Sequence, residues 1–240
     1  MIDVIDPKNQ FTVAEWQKQA LAAIKDILKR GKLPIICGGT GLYISALVEG
    51  FQFVAQSSEL RAPSFLRSKL DRLTLKQLLS QLKKIDPETY RVIDKNNRRR
   101  VQRALEIYYE TGIQKSKQEK KQAPPYQFLQ LGLNFEKAIL HQRIDQRLKY
   151  RLEKEGMAKE IKRLHRQGVS WKKLESFGLE YRFVSRYLKK EICQEEMFNS
   201  LSQAIKDFAK RQMTWFRRDK QIIWIKDINQ AKTLIKKFFK

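Results

Sequence analysis

The chain is poor in cysteine, in acidic residues and in long apolar runs. Its two cysteines, Cys37 and Cys193, form no C-x-x-C, and its two histidines, His141 and His165, lie far from both in sequence. This argues against a structural zinc site and against a disulfide framework. Both cysteines read as small core residues in a reducing cytoplasm. No apolar run approaches the roughly 18 residues that a membrane span needs. The N-terminus carries no basic segment followed by an apolar one, so no secretory signal is expected. Asp and Glu number 26 against 50 Lys and Arg, a net charge of +24. Such an excess must face solvent or a polyanion, and nucleic acid is the usual polyanion. Hydrophobic residues make up 42% of the 240, enough for a real core of one large or two small domains.

The phosphate loop G-x-x-x-x-G-K-[ST] is also missing. "PIICGGTGLY", Pro34 to Tyr43, is an apolar run that stops at a glycine-rich turn. Gly38, Gly39 and Gly41 are followed by Leu42 and Tyr43, and the next lysine is Lys69. Nothing local can therefore reach a β-phosphate. Gly39 and Gly41 make a G-x-G, but position 44 is Ile, so no dinucleotide fingerprint forms. By itself the turn favours a plain strand end over a ligand contact, because glycine at a strand end is common.

Periodicity predicts the surrounding elements. Thr12 and Glu15 fit a capping box that opens a helix over 12–30, with Val13, Trp16, Ala20, Ile24 and Ile27 on one stripe and Arg30-Gly31 at its close. A strand at Leu33–Cys37, the turn and a helix at Leu42–Val48 complete half of an α/β pattern. From 57 to about 122 the pattern is helical. Leu66, Leu70 and Leu73 begin it, Leu75, Leu78, Leu79 and Leu82 continue it, Asp86-Pro87 opens a further turn, and a helix follows over 96–110. We read 54–122 as an inserted helical domain and 1–53 with 123–240 as the α/β core. Strands are expected at 126–135 and 222–225, and a helix over 200–218 with Leu201, Ile205, Phe208, Gln212 and Trp215 on one stripe. No internal repeat is present.

Two helices concentrate the positive charge. "RRRVQR", Arg98 to Arg103, places Arg99 and Arg103 four apart on one face, away from Val101 and Leu105. That face either grips phosphate or is simply solvated. "AKRQMTWFRRD" places Lys210, Thr214 and Arg217 along one side, with Arg211 and Arg218 along another and Trp215 and Phe216 turned inward. These cations could clamp a diphosphate or grip an RNA backbone.

Six segments, in order, carry a resemblance. They are "IDVIDPKNQFTVAEW" at 2–16, "RGKLPIICGGTGLYISALVEGF" at 30–51, "DPETYRVIDKNNRRRVQRALEIYYETG" at 86–112, "PYQFLQLGL" at 125–133, "GLEYRFVSRYL" at 178–188 and "AKRQMTWFRRD" at 209–219. Together they make the chain resemble the bacterial tRNA dimethylallyltransferases, also called tRNA isopentenyltransferases. The resemblance implies an enzyme that moves a dimethylallyl group from dimethylallyl diphosphate to N6 of the adenine 3′ of the tRNA anticodon, with the base flipped into a tunnel. It implies a P-loop-type parallel-sheet core with an inserted helical domain on the anticodon arm, a monomer in the cytoplasm with no membrane partner, and Mg²⁺. The turn Gly38, Gly39 and Gly41 would line the tunnel, with Thr40 as its catalytic residue against the adenosine. The resemblance carries tRNA contacts onto Arg61, Arg99, Arg100, Gln102, Arg103, Tyr181, Arg182, Lys210, Arg211, Gln212, Thr214 and Arg217. The family's P-loop, its Mg²⁺-holding hydroxyl and its Asp-Ser base motif have no counterpart in this sequence. We therefore expect an N-terminally truncated chain with an incomplete core, inactive by itself. The alternative is a non-catalytic tRNA-binding remnant of the same family.

Overall fold

The computed structural model describes residues 1–52, 64–118, 120–121 and 124–239. In chain order the elements are α1 (Val13–Lys29), α2 (Gly41–Val48), β1 (Phe51–Gln52), α3 (Ser64–Asp71), α4 (Leu75–Ile85), α5 (Pro87–Val92), α6 (Arg98–Thr111), α7 (Lys115–Gln118), β2 (Lys120–Lys121), β3 (Leu131–Leu133), α8 (Lys137–Glu153), α9 (Met157–Arg166), α10 (Trp171–Glu175), α11 (Leu179–Leu188), α12 (Gln194–Phe216), β4 (Ile223–Ile225) and α13 (Ile228–Phe238). The described chain is mostly helical, with one short parallel strand pair and one short antiparallel pair. It forms two units, one of residues 1–10, 39–41 and 128–240, the other of residues 11–38 and 42–127. The insertion boundaries at 54 and 122 stay a proposal of the sequence.

In the unit of residues 11–38 and 42–127, α1 starts as the capping box requires. The Thr12 hydroxyl accepts from the Glu15 amide at 3.2 Å, and the Glu15 carboxylate accepts from the Thr12 amide at 2.6 Å. Gln17 Nε2 donates to the carbonyls of Ala46 at 2.6 Å and Phe51 at 2.9 Å, which ties α1 to the end of α2 and to β1. Trp16 stacks on Tyr43 with centroids 4.8 Å apart. The helices α3, α4 and α6 bury Leu70, Leu78, Leu82, Val101, Ala104 and Leu105 in one cluster. This is the leucine stripe that the spacing predicts.

Asp86 is the polar node of this unit. It caps α5 by accepting from the Thr89 amide at 3.0 Å and the Thr89 hydroxyl at 2.6 Å, and it accepts from the Ser116 amide at 3.0 Å. Burial pushes its carboxyl up, but the Thr89 and Ser116 donors outweigh burial and hold it below the usual carboxylate range. Its folded pKa lies below the unfolded one, so its stabilisation is complete above the unfolded value, near 4, and is lost as pH falls through the folded one. Asp86→Ala is expected to lower stability at neutral pH by about 1–3 kcal/mol and to remove part of the acid sensitivity below about pH 5. Urea midpoints between pH 7 and pH 3 read both. An unchanged acid limb would remove Asp86 as its source.

In the unit of residues 1–10, 39–41 and 128–240, β3 and β4 pair in parallel, Leu131 opposite Ile223 and Leu133 opposite Ile225. The helices α8 to α12 enclose Leu148, Met157, Ile161, Val169, Leu174, Val184, Met197 and Leu201. Asp145 on α8 ties this bundle to α12, accepting from the Ser202 hydroxyl at 2.5 Å and from Lys206 Nζ at 2.8 Å.

Several sequence expectations change. Leu33–Cys37 forms no strand, and Ile35 is 81% exposed, because a ladder needs a partner and none lies beside it among the described residues. Of 126–135 only Leu131–Leu133 pairs. The long helix begins at Gln194 rather than Ser200, capped by Cys193, whose sulfur accepts from the Glu196 amide at 3.4 Å. Both cysteines are exposed rather than core residues, Cys37 in the unpaired segment and Cys193 at the cap.

Candidate functional site

The glycine turn is built against α12. Gln212 Nε2 donates to the Gly39 carbonyl at 2.8 Å. A Cβ placed on Gly39 would lie 2.2 Å from that nitrogen, and one on Gly41 would lie 2.4 Å from the Trp215 ring. At Gly41 the ring leaves no room for a Cβ, so close approach requires glycine there; at Gly39 a Cβ would displace the Gln212 amide from its bond. Between them Thr40 is exposed, and its hydroxyl has no hydrogen-bond partner among the described residues. A threonine just before a helix ordinarily caps it. Thr40 precedes α2 without capping it, so the hydroxyl is uncommitted. Gly38 is exposed and meets nothing within 4 Å of an added Cβ.

Along α12 and just past its end, Lys210, Arg211, Thr214, Arg217 and Arg218 are exposed. Lys210, Arg217 and Arg218 form no ion pair among the described residues. The Thr214 hydroxyl donates to the Lys210 carbonyl at 3.0 Å, and the Arg211 guanidinium lies over the Phe208 ring at 5.7 Å. Trp215 is half-buried as the stripe predicts, whereas Phe208 is 40% exposed.

On α11, Tyr181 and Arg182 divide. The Tyr181 hydroxyl donates to Glu160 at 2.8 Å. Burial first, then this carboxylate, pushes its pKa up to about 12, so it stays a neutral donor. Arg182 is exposed and only brushes the Glu175 carbonyl at 3.5 Å.

The "RRRVQR" helix, α6, sorts its basic residues into separate tasks. Arg98 donates to the carbonyls of Leu70 at 3.1 Å and Asp71 at 3.0 Å, closing the end of α3. Arg99 and Arg100 are exposed with no ion pair among the described residues. Gln102 is buried, and its amide donates to Asp71 Oδ1 at 2.8 Å. Arg103 pairs with Glu106 at 3.2 Å and with Glu110 at 3.7 Å, and Arg67 also reaches Glu106 at 3.4 Å. The carboxylates of Glu106 and Glu110 are 3% and 2% exposed. Burial raises the Glu110 pKa, Glu106 adds to the rise, and Arg103 and Arg67 oppose it. Arg99 and Arg103 thus do not make one solvated face. Sequence reasoning missed these acids, although Glu106 and Glu110 stand three and seven residues after Arg103 and so share its face. Arg61 lies outside the described residues.

Among the described residues no group of three or more His, Cys, Asp and Glu side chains could hold a metal, and no helix is long and apolar enough to cross a membrane.

Residues 1–219 match the family described as IPP transferase. The chain is 41% identical over 219 residues to tRNA dimethylallyltransferase 1 of Geotalea uraniireducens, covering 91% of this chain and 69% of that protein. It is 40% identical over 236 residues to tRNA dimethylallyltransferase of Pelotomaculum thermopropionicum, covering 96% and 74%. Among solved structures it superposes on the tRNA isopentenylpyrophosphate transferase of Bacillus halodurans with TM-score 0.65 and 32% identity, over 99% of this chain and 76% of that one. A eukaryotic dimethylallyltransferase captured acting on tRNA gives TM-score 0.72 and 27% identity, over 95% and 60%.

Proposed function

This chain belongs to the IPP transferase family, and from that premise we infer that it serves the transfer of a dimethylallyl group to tRNA. The observation that carries the reading is similarity to tRNA dimethylallyltransferases across 91–96% of the chain. We further propose dimethylallyl diphosphate as donor and N6 of the adenine 3′ of the anticodon as acceptor. In that reaction the N6 lone pair forms a bond to C1 of the dimethylallyl group, the C1–O bond breaks, diphosphate leaves and N6 gives up a proton.

Several features support roles for residues of this chain. Thr40 presents an uncommitted hydroxyl and is proposed to contact the adenosine. Lys210, Arg211 and Arg217 are exposed cations suited to phosphate, whether of the anticodon arm or of the leaving group. In the same unit Arg182 and Thr214 are proposed as further contacts, and in the other unit Arg99 and Arg100 are proposed to meet phosphate. Gln102, Arg103 and Tyr181 are engaged within the protein, and any contact of theirs with tRNA would draw on bonds already made. Mg²⁺, which the family resemblance implies, would not be held by a cluster of three or more His, Cys, Asp and Glu side chains among the described residues. The parallel pair β3–β4 is proposed to belong to a P-loop-type sheet, in a cytoplasmic monomer.

The test is transfer of labelled dimethylallyl from its diphosphate to tRNA. It is run with this polypeptide alone and with a P-loop-bearing segment of a relative supplied as a second polypeptide. Label entering a tRNA with adenine 3′ of the anticodon, and not its guanine counterpart, is the expected result in the second arrangement. No label in either would leave an RNA-binding protein that does not transfer the group.

A further inference from the structure

We propose that Gln212 and Trp215 are positioning residues, which hold Thr40 through the glycines on either side of it and do not themselves touch RNA. The inference rests on the reading that Thr40 faces the substrate adenosine. The residues stand three apart on α12, about 60° from each other around the axis at roughly 100° per residue. Both point at the turn. The Gln212 amide is bonded to the Gly39 carbonyl at 2.8 Å, and the Trp215 ring fills the space that a Cβ of Gly41 would need. Lys210 and Thr214 each lie two residues from Gln212, roughly 160° around the helix. One face of α12 is thus exposed and cationic, and the other grips the turn. The sequence resemblance groups Gln212 with the tRNA contacts, but one of its amide N–H groups is committed to the Gly39 carbonyl.

The consequence concerns Thr40. Its own hydroxyl makes no bond among the described residues, so nothing at its side chain fixes it. What orients it is the backbone before and after, anchored at Gly39 by a hydrogen bond and at Gly41 by packing on a rigid ring. An untethered turn would spread the hydroxyl over several positions, and a group that must meet one base gains from being held in advance.

The experiment follows the Thr40 methyl resonance and its order parameter in the RNA-free protein, beside tRNA affinity. Gln212→Ala should lower the methyl order and shift the signal toward an averaged position. Gln212→Glu, nearly the same size but without the amide donor, should do the same while leaving the helix intact. Gly41→Ala should perturb the signal by driving a methyl into the ring, and Trp215→Ala in the same chain should relieve that clash. The salt slope of tRNA binding should stay at the wild-type value in Gln212→Ala, since no charge is gained or lost. An unmoved Thr40 signal with weakened tRNA binding would overturn the proposal and make Gln212 an RNA contact. A shifted Thr40 signal in a protein that binds no tRNA would support the positioning and sink the functional reading instead.

Discussion

Raising salt from about 50 to 200 mM is expected to weaken tRNA binding by roughly a thousandfold. The net charge of +24 sets the sign, but the size depends on how many cations meet phosphate. Each phosphate neutralised releases counterions, contributing a slope of about 0.7–0.9 in log affinity against log salt. Six such contacts give a slope near −5, which over a fourfold salt change is about three decades. The exposed side chains that could supply them are Lys210, Arg211, Arg217 and Arg218 in one unit and Arg99 and Arg100 in the other. Replacing Lys210 or Arg217 by Ala should each lower the slope by about 1. Neither should alter folding, since exposed polar changes usually cost within about 0.5 kcal/mol. A flat salt response of the intact chain would show that these faces are solvated surface and not a phosphate grip.

Arg103→Ala is expected to destabilise the protein strongly, whereas Arg99→Ala is expected to cost almost nothing. In the sequence the two arginines look equivalent, four residues apart on one helix. In the structure Arg99 ends in solvent, while Arg103 lies between the buried carboxylates of Glu106 and Glu110. Removing one partner of a buried ion pair leaves an uncompensated charge, a loss of about 3–5 kcal/mol in fully buried cases. Arg67 still reaches Glu106, and Arg103 is itself 39% exposed, so a loss below that range, about 2–3 kcal/mol, is expected. Glu110 bears most of it, because no hydrogen bond satisfies either of its oxygens. Adding Glu110→Gln to Arg103→Ala should recover part of the stability by removing that charge. Denaturant midpoints of the two single variants and the double variant decide the matter. Equal midpoints for Arg99→Ala and Arg103→Ala would show that the acids are satisfied without Arg103. A tRNA-binding defect in Arg103→Ala must therefore be corrected for the unfolded fraction before it is assigned to a lost contact.

The acid response separates two other carboxyls. Asp86 has a lowered pKa and loses its stabilisation on acidification, whereas Glu110 has a raised one, so protonation on acidification relieves its buried charge. The two oppose one another, and Asp86→Ala and Glu110→Gln should change the acid limb in opposite directions.

What the sequence determined by itself is local. The capping box Thr12–Glu15, the cap at Asp86, the leucine stripe through Leu70, Leu78, Leu82, Val101 and Leu105, and the end of α6 at Gly112 are all settled within a turn or two of helix. Side-chain spacing and backbone preference suffice there. The order of the six motifs likewise carried the family. Tertiary structure decided whatever needs a second segment. Leu33–Cys37 has strand composition but no ladder, because β propensity reports fit to a partner as much as intrinsic preference. The register of β3 on β4 joins residues some ninety positions apart, and no local rule could supply it. The sorting of "RRRVQR" into a cap for α3, two solvated cations and one ion-paired guanidinium depends on where Asp71, Glu106 and Glu110 lie in space. The turn at 38–41 is the clearest case. Sequence alone, without the resemblance, favoured a plain strand end for its glycines over a ligand contact. Gln212 and Trp215, more than 170 residues away along the chain, decide it: the Trp215 ring fills the space a Cβ on Gly41 would take, and the Gln212 amide holds the Gly39 carbonyl.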